Sequence, residues 1–240
     1  MSVFKLPKDT CYSIQSVINK FWWNHGTNNR KIHWLSSARL CKRKEDRGLG
    51  FWDLEAFNDA LLAKQFWRLM HDNSSMCFKI LKAQYFPDCN LFEARLGSKP
   101  SYIWRSLQGV FDLVCKGSRW AIGNEKSVHI WKSRWLPRPS SFNPILLGEP
   151  SSADRLVSKL INKEEGVWRK DLVRRLLPID ADIILQIPLC TSWPSDRLIW
   201  HYSTSGLFFV WSAYHLAHSL QFLSLASGNS NGMKEFWRVV

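Results

Sequence analysis

The sequence lacks the acidic pairs and glycine-rich loops on which much nucleotide chemistry depends. It contains no adjacent Asp-Asp pair, which a polymerase needs to hold two metal ions against a phosphate, and no Walker or Gly-x-Gly-x-x-Gly fingerprint. The nearest approach to an acidic pair, Asp180 and Asp182, is more typical of a helix start. We therefore expect no catalytic residues, no cofactor and no bound metal ion, and hence a protein that is not an enzyme.

Paired cysteines and long apolar runs are also missing. The six cysteines form no Cys-x-x-Cys pair, and His215 and His218 alone do not supply the four ligands of a zinc site. No apolar run approaches the roughly 20 residues that cross a bilayer, and the first residues do not resemble a secretory signal. We expect an intracellular protein with reduced thiols and no membrane partner. The cytosol, the nucleus and the mitochondrion all remain open.

Positive charge and tryptophan are plentiful. The formal net charge is +13, from 33 Lys and Arg against 20 Asp and Glu. Residues 1–140 hold 23 of the basic and 11 of the acidic residues, which favours a polyanionic partner for that part and leaves an ordinary solvated basic surface open as the alternative. The 14 tryptophans either pack in a core, which 45% hydrophobic residues can supply, or stack on bases.

Helical periodicity dominates the chain, and the predicted fold class is mainly α with small β-hairpins, an α+β arrangement. Apolar spacing predicts longer helices at 9–23, 54–71, 75–86, 101–115 and from Ser212 to Leu220, and shorter ones at 36–41, 153–162, 167–177 and 180–187. Asp53 is predicted to cap the helix at 54–71, which is apolar on most sides and therefore central. Alternating residues predict one hairpin from 119–122 and 127–131, and another from 196–202 and 207–210.

Composition suggests four regions along the chain. Residues 1–137 form a basic helical region with a terminal hairpin, and the proline-containing residues 138–152 form a linker where the charge changes. Residues 153–225 carry short helices, a hairpin and a final helix. Residues 226–240 are predicted to be a flexible Gly/Ser/Asn-rich tail that ends in the start of a further element.

One constellation points to a binding function. Basic and aromatic residues crowd into a short stretch that ends at Gly48-Leu49-Gly50, a joint that is either mobile or tightly turned. Positive charge releases counterions from a phosphate backbone, and Trp34 offers a ring on which a base can stack. The candidate nucleic-acid-binding residues are Arg30, Lys31, His33, Trp34, Arg39, Lys42, Arg43, Lys44 and Arg47.

Several motifs together resemble the region after the reverse-transcriptase palm in plant LINE-type (non-LTR) retrotransposon polyproteins. The resemblance extends over nearly the whole chain, and each motif is weak alone although the set is specific. The motifs are Phe21-Trp22-Trp23, Lys31-Ile32-His33-Trp34, Gly48-Leu49-Gly50-Phe51, Trp67-Arg68-Leu69, Lys82-Ala83-Gln84-Tyr85-Phe86-Pro87, Gly97-Ser98-Lys99-Pro100-Ser101-Tyr102-Ile103-Trp104, Gly117-Ser118-Arg119-Trp120-Ala121-Ile122-Gly123-Asn124, Trp135-Leu136-Pro137, Asp196-Arg197-Leu198-Ile199-Trp200 and Val210-Trp211-Ser212-Ala213-Tyr214.

The resemblance implies a thumb-like and linker piece that helps to hold the template-primer. It further implies that Phe236-Trp237 would open a zinc-binding domain, whose ligands are missing because the chain stops first. We therefore expect a non-catalytic fragment that binds RNA or an RNA–DNA hybrid non-specifically through its basic face, alongside the rest of a retroelement polyprotein. The alternatives are a protein–protein interaction module, which docks through helix 54–70 and a Trp-rich surface, and a functionless retroelement relic.

Overall fold

The computed structural model describes residues 2–23, 35–42, 44, 47–123, 127–138, 141–145, 156–162, 164–190 and 192–226. These residues form short antiparallel strands and mainly helices, which confirms the predicted fold class. The helices are α1 (Lys8–Trp23), α2 (Ser37–Leu40), α3 (Leu54–His71), α4 (Met76–Tyr85), α5 (Tyr102–Gln108), α6 (Phe111–Gly117), α7 (Lys170–Leu176), α8 (Ala181–Leu185) and α9 (Val210–Ala226). The strands are β1 (Ser118–Ala121), β2 (Ile161–Asn162), β3 (Val167–Trp168) and β4 (Arg197–Trp200).

Tertiary contacts divide the chain into two compact units. Unit 1 comprises residues 1–114 and 209–240, and unit 2 comprises residues 115–208. The predicted regions are based on proline content and on a change in charge, and neither property indicates which segments make tertiary contacts. The compact units therefore follow different boundaries from the predicted linker at 138–152.

Helix α3 is the centre of unit 1, as its sequence predicts. Its cap is Asp53, whose carboxylate accepts a hydrogen bond from the Ala56 amide at 2.8 Å. The helix packs most extensively against α9, and also against α5 and α1. The hydroxyl of Tyr214 on α9 accepts a hydrogen bond from the Asp53 amide at 3.0 Å, which ties α9 to the start of α3. Full burial of a side chain such as Phe66 stabilises a fold by about 1.5–3 kcal/mol.

A polar residue of α3 fastens the start of the chain to this core. The Asn58 side chain is buried, accepts a hydrogen bond from the Leu6 amide at 2.8 Å and donates one to the Phe4 carbonyl at 2.9 Å. Lys5 pairs with Asp59 at 3.0 Å, and burial raises the pKa of the Asp59 carboxyl despite the lysine. These contacts lay residues 4–6 across α3 before α1 begins.

The predicted helix at 101–115 is two helices. Ser101 caps α5 by accepting a hydrogen bond from the Trp104 amide, and α5 ends at Gln108. The Val110 amide then donates to the Leu107 carbonyl three residues back, so the bonding pattern tightens and the chain turns before α6. The periodicity missed this break because apolar residues continue on both sides of Gly109.

Neither predicted hairpin exists. Strand β1 pairs with β4, so that Ser118 lies opposite Trp200 and Ala121 opposite Arg197. In the region of the first predicted hairpin, His129 instead forms an isolated antiparallel β-bridge with Leu156. In the second, residues 207–209 are not a strand, although the Trp200 amide donates to the Gly206 carbonyl at 2.8 Å. Turn signals mark where the chain bends and do not identify a strand's partner, which is why the pairing was wrong.

Two local features hold β1 and β4 together. Gly117 lies against the buried Trp200 ring, where a Cβ atom would stand 2.0 Å from the indole. The Asp196 carboxylate accepts hydrogen bonds from the Gly123 amide at 2.8 Å and from the Ser127 amide at 3.0 Å. The contact between Gly117 and Trp200 thus requires glycine at the entrance to β1, and Asp196 fixes its exit.

The rest of unit 2 surrounds a separate apolar cluster. Residues 157–160 form a 3-10 turn that leads into β2, so the predicted helix at 153–162 is wrong over its described part. The predicted helix at 167–177 is wrong at its start, where Val167–Trp168 form β3, and is confirmed from Lys170 onward as α7. The predicted helix at 180–187 is confirmed in shortened form as α8. The buried cluster consists of Val128, Ile130, Trp135, Leu136, Val157, Leu160, Ile161, Trp168, Val173, Leu177, Ala181 and Ile184.

Two further predictions have different outcomes. The helix predicted from Ser212 to Leu220 is confirmed and is longer at both ends, because α9 begins at Val210 and ends at Ala226. The tail predicted at 226–240 lies outside the described residues from position 227 onward.

A neutral histidine meets an arginine beside β1. Arg119 Nε donates a hydrogen bond to His201 Nδ1 at 3.3 Å, which requires a neutral imidazole with its proton on Nε2. Burial, followed by the charge of Arg119, lowers the pKa of His201 to about 4. Since the ordinary pKa of a histidine is 6.5, the unfolded chain binds more protons than the folded one between pH 4 and pH 6.5.

Replacement of Gly117 tests the close approach of the two strands. We expect Gly117→Ala to lower the free energy of unfolding by about 1–3 kcal/mol, because the added methyl overlaps the Trp200 ring. Gly109→Ala is the control, since its Cβ would meet neighbours at 3.4–3.6 Å, an ordinary contact. Urea unfolding followed by circular dichroism measures both, and equal stability of the two variants would contradict the packing.

Replacement of His201 tests the pH dependence. The stability that the neutral imidazole contributes is complete above pH 6.5 and is lost as the pH falls toward about 4. We expect His201→Gln, which keeps an acceptor for Arg119, to reduce the loss of unfolding free energy between neutral pH and about pH 4.5 by roughly 2 kcal/mol. Unfolding curves at both pH values measure this, and identical losses in the two proteins would contradict it.

Candidate nucleic-acid interface

The described residues of the basic stretch lie on a loop, which we call the basic loop (residues 39–51, of which 43, 45 and 46 lie outside the described part of the chain). It begins as α2 ends at Leu40, whose side chain is fully buried together with that of Cys41. The Leu40 carbonyl accepts hydrogen bonds from the Leu49 amide at 3.3 Å and the Phe51 amide at 3.0 Å. The two ends of the loop are therefore joined at a buried anchor.

Glycines allow the loop to close. The Gly50 amide donates to the Lys42 carbonyl at 2.9 Å, and a Cβ atom on Gly48 would stand 2.1 Å from the same carbonyl oxygen. Gly50 has φ +72°, and Arg47 has φ 59°, a left-handed conformation that is uncommon for a side chain other than glycine. The sequence left open a mobile or a tightly turned joint at Gly48-Leu49-Gly50, and the structure shows the tight turn.

The described cations of the loop point into solvent. The side chains of Arg39, Lys42, Lys44 and Arg47 are exposed, and within the described part of the chain none of them forms an ion pair. Lys42 Nζ lies 5.8 Å above the Phe222 ring of α9, a cation–π contact. Arg30, Lys31, His33, Trp34 and Arg43, the other predicted binding residues, lie outside the described residues.

Two exposed tryptophans stand next to the loop, and neither is among the predicted binding residues. The Trp22 ring is 42% exposed and meets the ring of Phe51, the last residue of the loop, at a centroid distance of 5.2 Å. Trp52 is 44% exposed and packs at 4.6 Å against Tyr214. Both belong to adjacent aromatic pairs, Trp22-Trp23 and Phe51-Trp52, and that pairing was the only signal in the sequence.

Asp180 and the two histidines considered as metal ligands have structural partners. Asp180 is fully buried, forms an ion pair with Arg138 and accepts a hydrogen bond from the Ile145 amide at 2.7 Å. On α9, the His215 ring meets Trp211 and the His218 ring stacks on Tyr214. Across the described ranges, no group of three or more His, Cys, Asp or Glu side chains is placed to hold a metal ion.

A hydrolase-like sequence motif occurs near the end of the chain. Residues 228–232 spell Gly-x-Ser-x-Gly, the order found at the nucleophile of many hydrolases. The motif needs a sharp turn from a strand into a helix, and here it stands in a Gly/Ser/Asn-rich stretch outside the described residues. It therefore supports no assignment.

In the described part of the chain, no helix is both long and apolar enough to cross a membrane.

Comparison with known proteins places the chain among plant relatives. An Arabidopsis thaliana protein named "Uncharacterized mitochondrial protein AtMg00310" is 39% identical over 146 residues, which cover 60% of this chain and 95% of that protein. This chain belongs to its family. A second Arabidopsis thaliana protein, named "Putative ribonuclease H protein At1g65750", is 27% identical over 226 residues, which cover 90% of this chain and 36% of that protein. The chain thus spans about a third of the length of the second relative.

The family relation indicates where the chain comes from, and it does not establish a function. Relatives of this kind are typical of plant retrotransposon-derived proteins, which confirms the coarser part of the predicted resemblance. The LINE type and the position before a zinc-binding domain stay predictions. No family model and no solved structure matches the chain.

The reactivity of the Cys41 thiol shows whether the buried anchor at Leu40 and Cys41 is packed. Burial raises the pKa of Cys41 to about 11, and burial also raises the pKa of Cys11, whereas Cys77 and Cys190 are exposed. Because the thiolate is the reactive form, we expect a thiol-specific disulfide reagent at pH 8 to modify Cys77 and Cys190 rapidly, and Cys41 only on unfolding. Mass spectrometry of peptides at successive times measures this. Rapid labelling of Cys41 in the folded protein would contradict the packed anchor.

Proposed function

We propose that the chain is a non-catalytic piece of a plant LINE-type retrotransposon polyprotein, and that it holds RNA or an RNA–DNA hybrid through the basic loop. The observation that carries the proposal is the set of exposed cations on a loop whose ends are fastened at Leu40. A loop whose ends are joined by hydrogen bonds presents its charges with a smaller loss of conformational freedom than an open chain would suffer. Binding then gains from the release of counterions at the phosphate backbone.

The contacts available to the loop are not specific for sequence. Lysine and arginine side chains bind phosphate oxygens, which are the same at every nucleotide. Trp22 and Trp52 beside the loop offer rings on which bases stack, an interaction that tolerates any base. The expected complex is therefore weak in discrimination and strongly dependent on salt.

We also propose that this chain catalyses no reaction by itself. Asp180, the buried member of the acidic pair, already neutralises Arg138, and so it is a poor candidate for a metal ligand. The second relative carries the name of a ribonuclease H, and this chain spans about a third of its length. We propose that any such activity belongs to parts of the longer protein outside the aligned region.

A second candidate function, protein docking, is favoured by the face that α1 leaves uncovered. The helix buries Cys11, Gln15 and Asn19, while Val17 is 65% exposed and Phe21 is 76% exposed. An apolar stripe on the solvent side is unusual for a surface helix and typical of a docking face. The predicted docking helix, α3, instead has its large apolar side chains largely buried within unit 1.

Salt separates the two candidates. Sedimentation velocity of the purified chain at low and high salt, with Val17→Glu and Phe21→Glu variants, tests the apolar face. Self-association that persists in high salt and disappears in these variants would favour docking. Monomeric behaviour at both salt concentrations would count against it.

Neutral substitution of the loop cations tests the first candidate. We expect the triple variant Arg39→Gln, Lys42→Gln and Lys44→Gln to weaken binding of labelled single-stranded RNA in fluorescence anisotropy. The slope of log affinity against log salt between about 50 and 200 mM is expected to become shallower by up to about 2, because each cation lost from a phosphate accounts for about 0.7.

A matched variant controls for net charge. Lys64, Arg68 and Lys79 are exposed on α3 and α4, and their replacement by Gln removes the same three charges away from the loop. We expect this control to bind RNA nearly as tightly as the unaltered chain. Equal weakening in both variants would mean diffuse attraction to a basic protein, and no binding by the folded chain would contradict the proposal altogether.

A further inference from the structure

Unit 2 contains a pocket of about 460 Å³ with two arginines in its wall. Arg119 comes from β1 and Arg138 from the loop before Phe142, and the apolar lining is provided by Ile183 and Ile187 around α8 together with Pro137 and Pro188. Pockets of this size that combine apolar lining with a few polar groups are typical of small-molecule sites. The pocket lies within unit 2, and the proposed role of the basic loop does not use it.

The two arginines differ in how their charge is balanced. Arg138 forms an ion pair with the buried Asp180, so this guanidinium is both neutralised and held in place. Arg119 donates its Nε hydrogen to His201 Nδ1, and within the described residues it forms no ion pair with a carboxylate. The pocket wall therefore carries one positive charge without a described counter-charge.

This imbalance leaves the guanidinium of Arg119 available to an anion. Arg119 is partly buried, and burial lowers the pKa of its guanidinium because desolvation disfavours the charged form. His201 cannot compensate, since an imidazole that accepts a hydrogen bond from Arg119 is neutral. A partly buried charge is normally paired, and the terminal nitrogens of Arg119 form no hydrogen bond within the described residues.

We propose that this pocket binds the phosphate group of a small organic ester, with the terminal nitrogens of Arg119 pairing with two phosphate oxygens. The planar guanidinium matches that geometry, whereas a lysine ammonium would act only as a point charge. The apolar lining around Ile183 and Ile187 accommodates the organic part of the ligand. A free phosphate ester and the terminal phosphate of a nucleic-acid strand share this chemistry.

One competitor is the chain itself. Glu149 and Asp154 belong to a stretch outside the described residues, and a carboxylate from that stretch would be the alternative partner of Arg119. The experiment must therefore separate an internal carboxylate from an external phosphate.

Isothermal titration calorimetry of the full chain tests the proposal with uridine 5′-monophosphate, inorganic phosphate and uridine as probes. We expect the monophosphate to bind more tightly than phosphate alone, and uridine without its phosphate to show no binding. Arg119→Gln is expected to weaken the monophosphate by about tenfold or more, the usual loss when a hydrogen-bonded charge is removed. Arg174→Gln, at an exposed position on α7 outside the pocket, is the matched control and is expected to leave the affinity unchanged.

A second variant keeps the test decisive if Arg119→Gln does not fold. Gln186 lines the pocket and is exposed, so Gln186→Glu should preserve the fold while placing a carboxylate beside the arginines. We expect this variant to lose monophosphate binding. RNA oligonucleotides with and without a 5′-phosphate distinguish the two sources, since only a strand-end site discriminates between them.

Three results would overturn the proposal. They are the absence of monophosphate binding, an affinity that is unchanged in the folded Arg119→Gln variant, and binding that appears only in a Glu149→Gln, Asp154→Asn double variant. The last result would show that the chain's own carboxylate occupies the pocket. Failure of the basic-loop proposal would be seen in the loop variants and would leave these titrations unaffected.

Discussion

The packing of α9 on α3 is the contact on which unit 1 depends. These helices are separated by more than a hundred residues, yet the Tyr214 hydroxyl reaches the amide of Asp53, the cap of α3. The same helix supplies the Phe222 ring beneath Lys42. The loop that carries the proposed binding cations therefore contacts a helix from the other end of unit 1 through Lys42.

Unit 2 uses the same principle with strands. The motif that begins at Gly117 and the motif that begins at Asp196 resemble retroelement sequences separately, and the structure brings them together as β1 and β4. The absence of a side chain at Gly117 makes room for the Trp200 ring, and the Asp196 carboxylate binds the turn after β1. These motif residues thus have structural tasks in forming the sheet.

Local structure was predictable from the sequence and long-range pairing was not. The Asp53 cap and the length of α3 follow from side chains and spacing within a few residues of each other, and both are confirmed. Strand partners depend on which surfaces fit together once the chain has collapsed. Gly123-Asn124 lies between two segments in which apolar and polar residues alternate, and this arrangement predicted a hairpin that does not form. The predicted division at the change of charge stays a prediction, and the compact units do not differ in the sign of their charge: unit 1 holds 19 basic and 11 acidic residues and unit 2 holds 14 and 9.

The candidate interface was predictable in composition and not in shape. The density of cations between 39 and 47 is visible in the sequence, whereas the closure of the loop through the Leu40 carbonyl depends on backbone hydrogen bonds. The exposure of Trp22 and Trp52 depends on how α1 and α3 pack. The Arg119 pocket is invisible in sequence, because its lining comes from segments up to about seventy residues apart.

The central claim is that nucleic acid contacts the basic loop, and photo-crosslinking of 4-thiouridine RNA to the full chain tests it most directly. The crosslinked peptides would be mapped by mass spectrometry in low and high salt. The account predicts that crosslinks concentrate in peptides spanning residues 39–52 and in the end of α1 that carries Trp22, and that they fade as salt rises. Crosslinks confined to residues 115–208, or none with a folded protein, would contradict it.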